Sequence, residues 1–320
     1  MRSNIVLSKT PVKPFNKKLI ADIWKHKVLY LFLLPAFILL FLFSYRPMYG
    51  IIMAFKEYEM FVGLKGTPWV GFKYFEEFFT HREFLKVVRN TLGVSITNLI
   101  IGFPAPIILA LMLNEVKSMI FKRTIQTVTY LPHFMSFIVI VGLVHQMLSI
   151  NPGEGSINDF IRFFGGEPIY FLSIGYLFWP LLALINVFKE CGWGAIIYLA
   201  ALSSINPEYY EAATVDGARK WKQLIHVTIP GIMPTIVVMF ILRMGHVMTA
   251  SFEQVLALQN GFNLNYSDTI EMFVYREGFV NSNFSYATAV GLWQNVINFI
   301  LVMLTNYFSR KLSDNEQGLF

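Results

Sequence analysis

Charge is scarce in this chain, and motifs that carry chemistry are scarcer. Only 14% of its 320 residues are Asp, Glu, Lys or Arg, against 55% hydrophobic, which leaves too little polar surface to keep a domain of this length in water. There is one cysteine, Cys191, so neither an intramolecular disulfide nor a Cys-rich metal site can be built. The six histidines (His26, His81, His133, His145, His226 and His246) follow no HExxH or other ligand spacing, and GxSxG, Walker A and GxGxxG patterns are missing. No catalytic residue, metal ligand or bound cofactor is therefore assigned to this chain. If ATP drives the protein, another polypeptide must bind it.

What the sequence does have is length in its apolar runs. About 18 or more uninterrupted apolar residues suffice to cross a bilayer, and six stretches are read as spans: 28–45, 90–113, 125–148, 170–188, 232–250 and 287–308. The expected fold class is an all-α polytopic membrane protein. Five of these spans contain no Asp, Glu, Lys or Arg, and the fifth in order carries Arg243. Pro35, Pro104, Pro106, Pro132 and Pro180 fall inside spans and predict kinks, because proline leaves a carbonyl of the preceding turn without its donor. The first span is too long for a signal-peptide core and is expected to persist as a helix.

The basic residues set the orientation. Arg2, Lys9, Lys13, Lys17, Lys18, Lys25 and Lys27 precede the first span against a single acid, Asp22, a cytoplasmic mark under the positive-inside rule. Alternation then places Lys117, Lys122, Arg123, Lys189, Arg219, Lys220, Lys222, Arg310 and Lys311 on the same face. The domain reading is a basic cytoplasmic segment at 1–27, a transmembrane domain at 28–309 and a cytoplasmic tail at 310–320. The basic excess is explained by membrane topology, with no nucleic-acid partner. The outer loop 46–89 carries Phe72, Tyr74, Phe75, Phe78, Phe79 and Phe84 among its charges and is expected to lie along the membrane surface against the bundle.

The most informative stretch is 206–230, NPEYYEAATVDGARKWKQLIHVTIP. Asn206 suits a helix N-cap, Pro207 the first helical position, and Glu208 and Glu211 the positive end of the helix dipole. Gly217 can end that helix after about ten residues, roughly 15 Å, too short to cross a bilayer. The helix is expected to stay on the cytoplasmic side within a loop at about 204–231. A second helix from Arg219 is expected to run up to Pro230. Two ordinary connecting helices would meet the same capping rules.

The stretch also resembles the EAA motif of binding-protein-dependent importer permeases: Glu211, Ala212 and Ala213, then Asp216, Gly217 and Ala218, then Val227, Ile229 and Pro230 at the motif's spacing. Further segments, PMYGIIMAFKEY from Pro47, PWVGFKYF from Pro68, IIYLAALSSI from Ile196 and YATAVGLWQNVINFILV from Tyr286, look like the oligosaccharide and polysaccharide branch of that family. The resemblance covers about residues 31–311. It implies a type I ABC importer permease fold with six transmembrane helices and a cytoplasmic coupling helix, in a bacterial inner membrane with both termini cytoplasmic. It further implies a second, similar permease, two ATPase subunits carrying ATP and Mg, an extracytoplasmic solute-binding protein and a carbohydrate cargo. Glu211, Ala212, Ala213, Asp216, Gly217, Ala218 and Pro230 would then be the ATPase-coupling residues.

A second set is read as a substrate path. Arg243 and His246 are one turn apart and share a helix face, and ionisable groups at membrane depth mark polar paths, ion pairs or binding sites. Glu253 and Gln254 are placed at the outer end of the same span, and Trp293, Asn295 and Asn298 on the sixth. Together they offer the donors, acceptors and aromatic face that sugar hydroxyls and rings use; interhelical packing is the plainer role. The rival function is an ion-coupled secondary transporter, which would need paired repeats and an intramembrane acid that the sequence does not display. An intramembrane enzyme lacks any constellation to carry it.

Overall fold

The computed structural model describes residues 24–249 and 251–312, with side chains through residue 311. Most of the basic amino-terminal segment and of the carboxy-terminal tail lies outside the described residues. The chain divides into two compact units, Met1–Ile52 and Met53–Phe320. Among the described residues there is no strand, only an isolated bridge between Lys56 and Trp69.

The first apolar helix, α1, is Lys27–Phe55. It tolerates Pro35 and passes through a π turn at Phe41–Tyr45 before tightening to 3-10 geometry. The second unit holds α2 (Lys73–Thr80), α3 (Phe84–Glu115), α4 (Met119–Phe134), α5 (Phe137–Met147), α6 (Ser156–Phe163), α7 (Gly175–Ser203), α8 (Pro207–Val215), α9 (Lys220–Met244), α10 (Phe252–Leu258), α11 (Ile270–Tyr275) and α12 (Phe284–Lys311). Among the described residues five helices are long and apolar enough to cross a bilayer, and α4 with α5, bent by 104°, passes the same test as one broken pair, which brings the number to six. The protein is a multi-pass, all-helical membrane protein.

Three sequence expectations need correction. The span expected at 125–148 is not one helix. Pro132 lacks an N–H, Met135 and Ser136 are extended, and the Ser136 hydroxyl caps the restarted helix by accepting from the Val139 N–H at 3.4 Å. The span expected to end at 188 continues to Ser203, so Lys189 and Glu190 sit in mid-helix and Lys189 is not a cytoplasmic loop residue. A charge pair that looked like a boundary in the sequence is satisfied inside the bundle. Finally, the span expected at 232–250 begins at Lys220 and ends at Met244. Pro230 does not divide it: a π turn at Leu224–Thr228 takes up the missing hydrogen bond and the helix runs on. His246 therefore lies in the turn after α9, and Glu253 and Gln254 belong to a separate helix.

Helix α7 is the central post, packed along α3 and against α4 and α9. Gly192 permits the closest approach, since a Cβ there would meet the Thr129 carbonyl oxygen of α4 at 2.1 Å. The lower core joins Ala110 of α3, Ala195, Tyr198 and Leu202 of α7 and Ile232 of α9. A second core is aromatic. Phe78 of α2 is buried against Phe84, Phe273 and Trp293, so the amphipathic outer loop packs on the bundle.

The loops sort into two sets by contact. Glu115, at the end of α3, pairs with Lys220, at the start of α9. Far from these, Asp268 receives Lys86 at 2.8 Å and Arg276 at 3.0 Å, and Glu83 receives the same two cations at 2.9 and 2.8 Å. The Lys86 hydrogen bond holds the Glu83 carboxyl below its ordinary range. The Trp179 indole N–H donates to the Tyr266 carbonyl at 2.9 Å, tying the start of α7 to the same set. Strict alternation of six spans requires this division.

Candidate functional site

Two regions hold the residues singled out by sequence, and they are built differently. The first is α8 with its flanks. The Asn206 side-chain oxygen accepts from the Glu208 N–H at 3.1 Å, and its amide donates to the Glu208 carboxylate at 3.0 Å; Pro207 opens the helix. At the other end Gly217 has φ +74°. The Gly217 N–H donates to the Thr214 carbonyl at 3.0 Å and the Ala218 N–H to the Ala213 carbonyl at 2.8 Å, the paired bonds of a Schellman stop. Nothing lies within 4 Å of where a Gly217 Cβ would stand, so its requirement is purely conformational.

No residue of α8 is buried. Glu211, Ala212, Asp216 and Gly217 are exposed, while Ala213 and Ala218 are half-buried. The Glu211 carboxylate makes no ion pair with another described residue. Tyr209, Val215 and Trp221 add an exposed apolar rim. Pro230, grouped with these residues by sequence, sits apart within α9. Two side-chain struts missed in the sequence tie α8 to α9. Tyr210 and Thr228 share a hydroxyl–hydroxyl bond of 3.1 Å, and the Gln223 amide donates to the Thr214 hydroxyl at 2.9 Å and the Ala218 carbonyl at 3.2 Å. They reach over 18 and 9 residues across the glycine turn, where the periodicity of a single helix no longer relates one residue to another, so no pattern in the sequence points to them.

The second region is a cavity of about 650 Å³ between α3, α7 and α9 and the start of α10, within the size range of small-molecule sites. Its polar lining includes Asn98, Asn186, Glu190, Arg243, His246 and Gln254, and its aromatic lining Phe103, Phe137, Trp193 and Tyr198. Asn98, Arg243, His246 and Ser251 also face an adjoining space of about 220 Å³. Of the residues expected on a substrate path, Arg243, His246 and Gln254 are brought together here. Gln254 is 2% exposed, and its amide donates to Asn186 at 2.8 Å.

The other four are elsewhere. Glu253 is exposed and does not line the cavity. Trp293 belongs to the aromatic core with Phe78, Phe79 and Phe84. Asn295 is exposed and bonds back to the Gly291 carbonyl at 2.9 Å. Asn298 is buried, accepts from the Met248 N–H at 2.9 Å and donates to the Thr249 hydroxyl at 3.3 Å. It pins the turn after α9 to α12 and serves structure.

Beside the cavity lies a cluster that sequence reading left unassembled. The Lys189 ammonium donates to the His133 carbonyl at 2.6 Å, pairs with Glu190 at 3.3 Å and stands 4.8 Å over the Phe137 ring. His133 Nδ1 bonds the other Glu190 oxygen at 2.7 Å, and its ring stacks on Trp193 at 4.5 Å. The break between α4 and α5 leaves the His133 carbonyl without a helical donor, and Lys189 supplies one.

The chain is 42% identical over 308 residues to the polygalacturonan/rhamnogalacturonan transport system permease protein YteP of Bacillus subtilis, covering 96% of this chain and 95% of that one. It is 40% identical over 300 residues to Protein LplB of the same organism, covering 94% and 93%. Among solved structures it superposes with a TM-score of 0.84 and 38% identity on a chain of a bacterial ABC transporter involved in the import of the acidic polysaccharide alginate, covering 92% of this chain and 99% of that one. A second structure, of a bacterial alginate ABC transporter in complex with an alginate pentasaccharide-bound periplasmic protein, gives 0.85 and 37%, covering 94% and 100%. Residues 102–314 match the family described as binding-protein-dependent transport system inner membrane component. The span architecture, the Schellman-capped loop helix and these matches agree, and the chain belongs to the binding-protein-dependent transport system inner membrane components.

Proposed function

We propose that this chain is one permease subunit of an ATP-driven importer for oligosaccharides or polysaccharide fragments, and that α8 is the element gripped by a separate ATPase. The observation that carries this is mechanical. An exposed nine-residue helix, stopped by Gly217, is bonded through Tyr210–Thr228 and Thr214–Gln223 to the base of the helix that bears Arg243. A push on α8 reaches the cavity wall through α9 without passing through soft loop. Glu211, lacking an internal partner, is available to a basic group on the ATPase, and Tyr209, Val215 and Trp221 supply apolar contact.

The expected assembly has a second, similar permease, two ATPase subunits that hold ATP and Mg, and an extracytoplasmic binding protein that delivers the sugar. The basic residues before α1 support cytoplasmic termini. Relatives named for polygalacturonan and alginate transport support a saccharide cargo, as does a cavity that mixes amides, a guanidinium and aromatic faces. An ion-coupled transporter has no use for a bare, rigidly strutted docking helix. Affinity purification of the tagged chain from its native membrane tests the reading. It should bring down a second permease and a soluble ATPase, and the purified complex should hydrolyse ATP faster when sugar-loaded binding protein is added. Recovery of this chain alone, with no nucleotide-hydrolysing partner, would refute it.

A further inference from the structure

The cavity does not balance its own charge. Glu190 is matched within the chain, by Lys189 at 3.3 Å and His133 at 2.7 Å, and that group is closed. The Arg243 guanidinium is exposed and makes no hydrogen bond or ion pair with any described residue. It stands at the junction of the two cavity spaces beside Asn98, His246 and Ser251. A cation held near membrane depth is costly unless water or a counter-charge meets it. None of the neighbours that face the space with Arg243 carries a negative charge except Glu190, which is already engaged.

We propose that Arg243 is a carboxylate-recognition point in the translocation cavity, so that the cargo is an oligosaccharide bearing uronate-type acid groups. This rests on the saccharide reading given above. A planar guanidinium offers paired N–H donors that fit a carboxylate in bidentate fashion. The amides of Asn98 and Asn186 and the faces of Phe103 and Trp193 would take the hydroxyls and rings that accompany it. Because Lys189 is consumed by Glu190, a neutral sugar would leave the guanidinium uncompensated, whereas an acidic one neutralises it.

The test uses the intact permease–ATPase complex in nanodiscs without binding protein, so that the delivery protein's own selectivity does not enter. Binding of trigalacturonate and of its fully methyl-esterified, neutral counterpart is followed by tryptophan fluorescence, with Trp193 in the cavity wall as a natural reporter. Arg243→Gln should weaken trigalacturonate binding tenfold or more and ester binding less than threefold, while Arg243→Lys, which keeps the charge but loses the paired donors, should fall between wild type and Arg243→Gln for the acid. Equal losses for both ligands would overturn the proposal, showing that Arg243 is structural or pairs with an acid of the second permease; an unchanged acid affinity would overturn it too. If Arg243→Gln does not assemble, the wild-type complex still decides: acid affinity should fall several-fold between low and high salt while ester affinity holds, and a salt-independent acid affinity would contradict the idea. A wild-type complex that binds neither ligand would remove the saccharide reading itself, an outcome distinct from one that binds both alike.

Discussion

The loop that holds α8 and the cavity wall make an instructive pair. The loop is a local object: every residue that shapes α8 lies between Asn206 and Thr228, and its rules of capping and termination act over a few residues. The cavity wall is a distant object, assembled from α3, α7, α9 and α10. Its key cluster joins His133 to Lys189, Glu190 and Trp193 across more than fifty residues of sequence. Local objects are fixed by backbone preference, whereas distant ones depend on which partner satisfies which group. Substitutions should therefore fail in different ways at the two places.

The largest stability effect belongs to the distant object. Lys189→Met leaves Glu190 with His133 as its remaining partner and returns the His133 carbonyl to its unsatisfied state. Leaving that acceptor unsatisfied costs about 1–3 kcal/mol, and the purified protein should show a clear loss of thermal stability in detergent. If Lys189→Met melted like wild type, the cluster would not be what holds the broken α4–α5 span against α7.

The struts of the local object should behave in the opposite sense. Tyr210→Phe combined with Gln223→Ala removes three exposed or half-buried hydrogen bonds, each worth about 1 kcal/mol. Folding and assembly should survive while sugar-stimulated ATP hydrolysis falls several-fold relative to basal hydrolysis. An unchanged ratio would sever the proposed connection between α8 and α9.

The contrast also explains what the sequence disclosed. Asn206, Pro207, Glu208 and Gly217 each announced their role through intrinsic preference, and the structure places each where that preference leads. The span count was legible because apolar length is a one-dimensional property. Span boundaries were not, wherever a charge was satisfied by a partner remote in sequence: Lys189 and Glu190 read as a loop because His133 is invisible from their position. Pro230 read as an end because the π turn that accommodates it depends on the surrounding bundle. The cavity wall was half legible. Arg243 stood out as a charge at membrane depth and Gln254 as a polar group at the expected end of the same span, but Trp293 and Asn298, equally polar on the sixth span, serve the aromatic core and the turn after α9. Trp193, which does line the cavity, carried no signal to set it apart.

A smaller effect probes the outer face. Burial pushes the Glu271 carboxyl up to about 7 from its ordinary 4.5, against the Phe252 backbone N–H, which favours the charged form. Between those two values the folded state holds a proton that the unfolded state has lost, so stability should decline as pH rises from about 4.5 to 7 and level off above. Glu271→Gln should flatten this slope in melting curves recorded across that range. A slope unaltered by the substitution would place the titrating group elsewhere.

The most direct test of the account is Gly217→Val in the assembled transporter. Only the left-handed φ of +74° opposes the new side chain, a strain of about 1–3 kcal/mol relieved by turning α8 out of line. The account predicts that the variant inserts and is recovered with its ATPase, yet loses most sugar uptake and most sugar-stimulated hydrolysis in proteoliposomes. Uptake at the wild-type rate would contradict it.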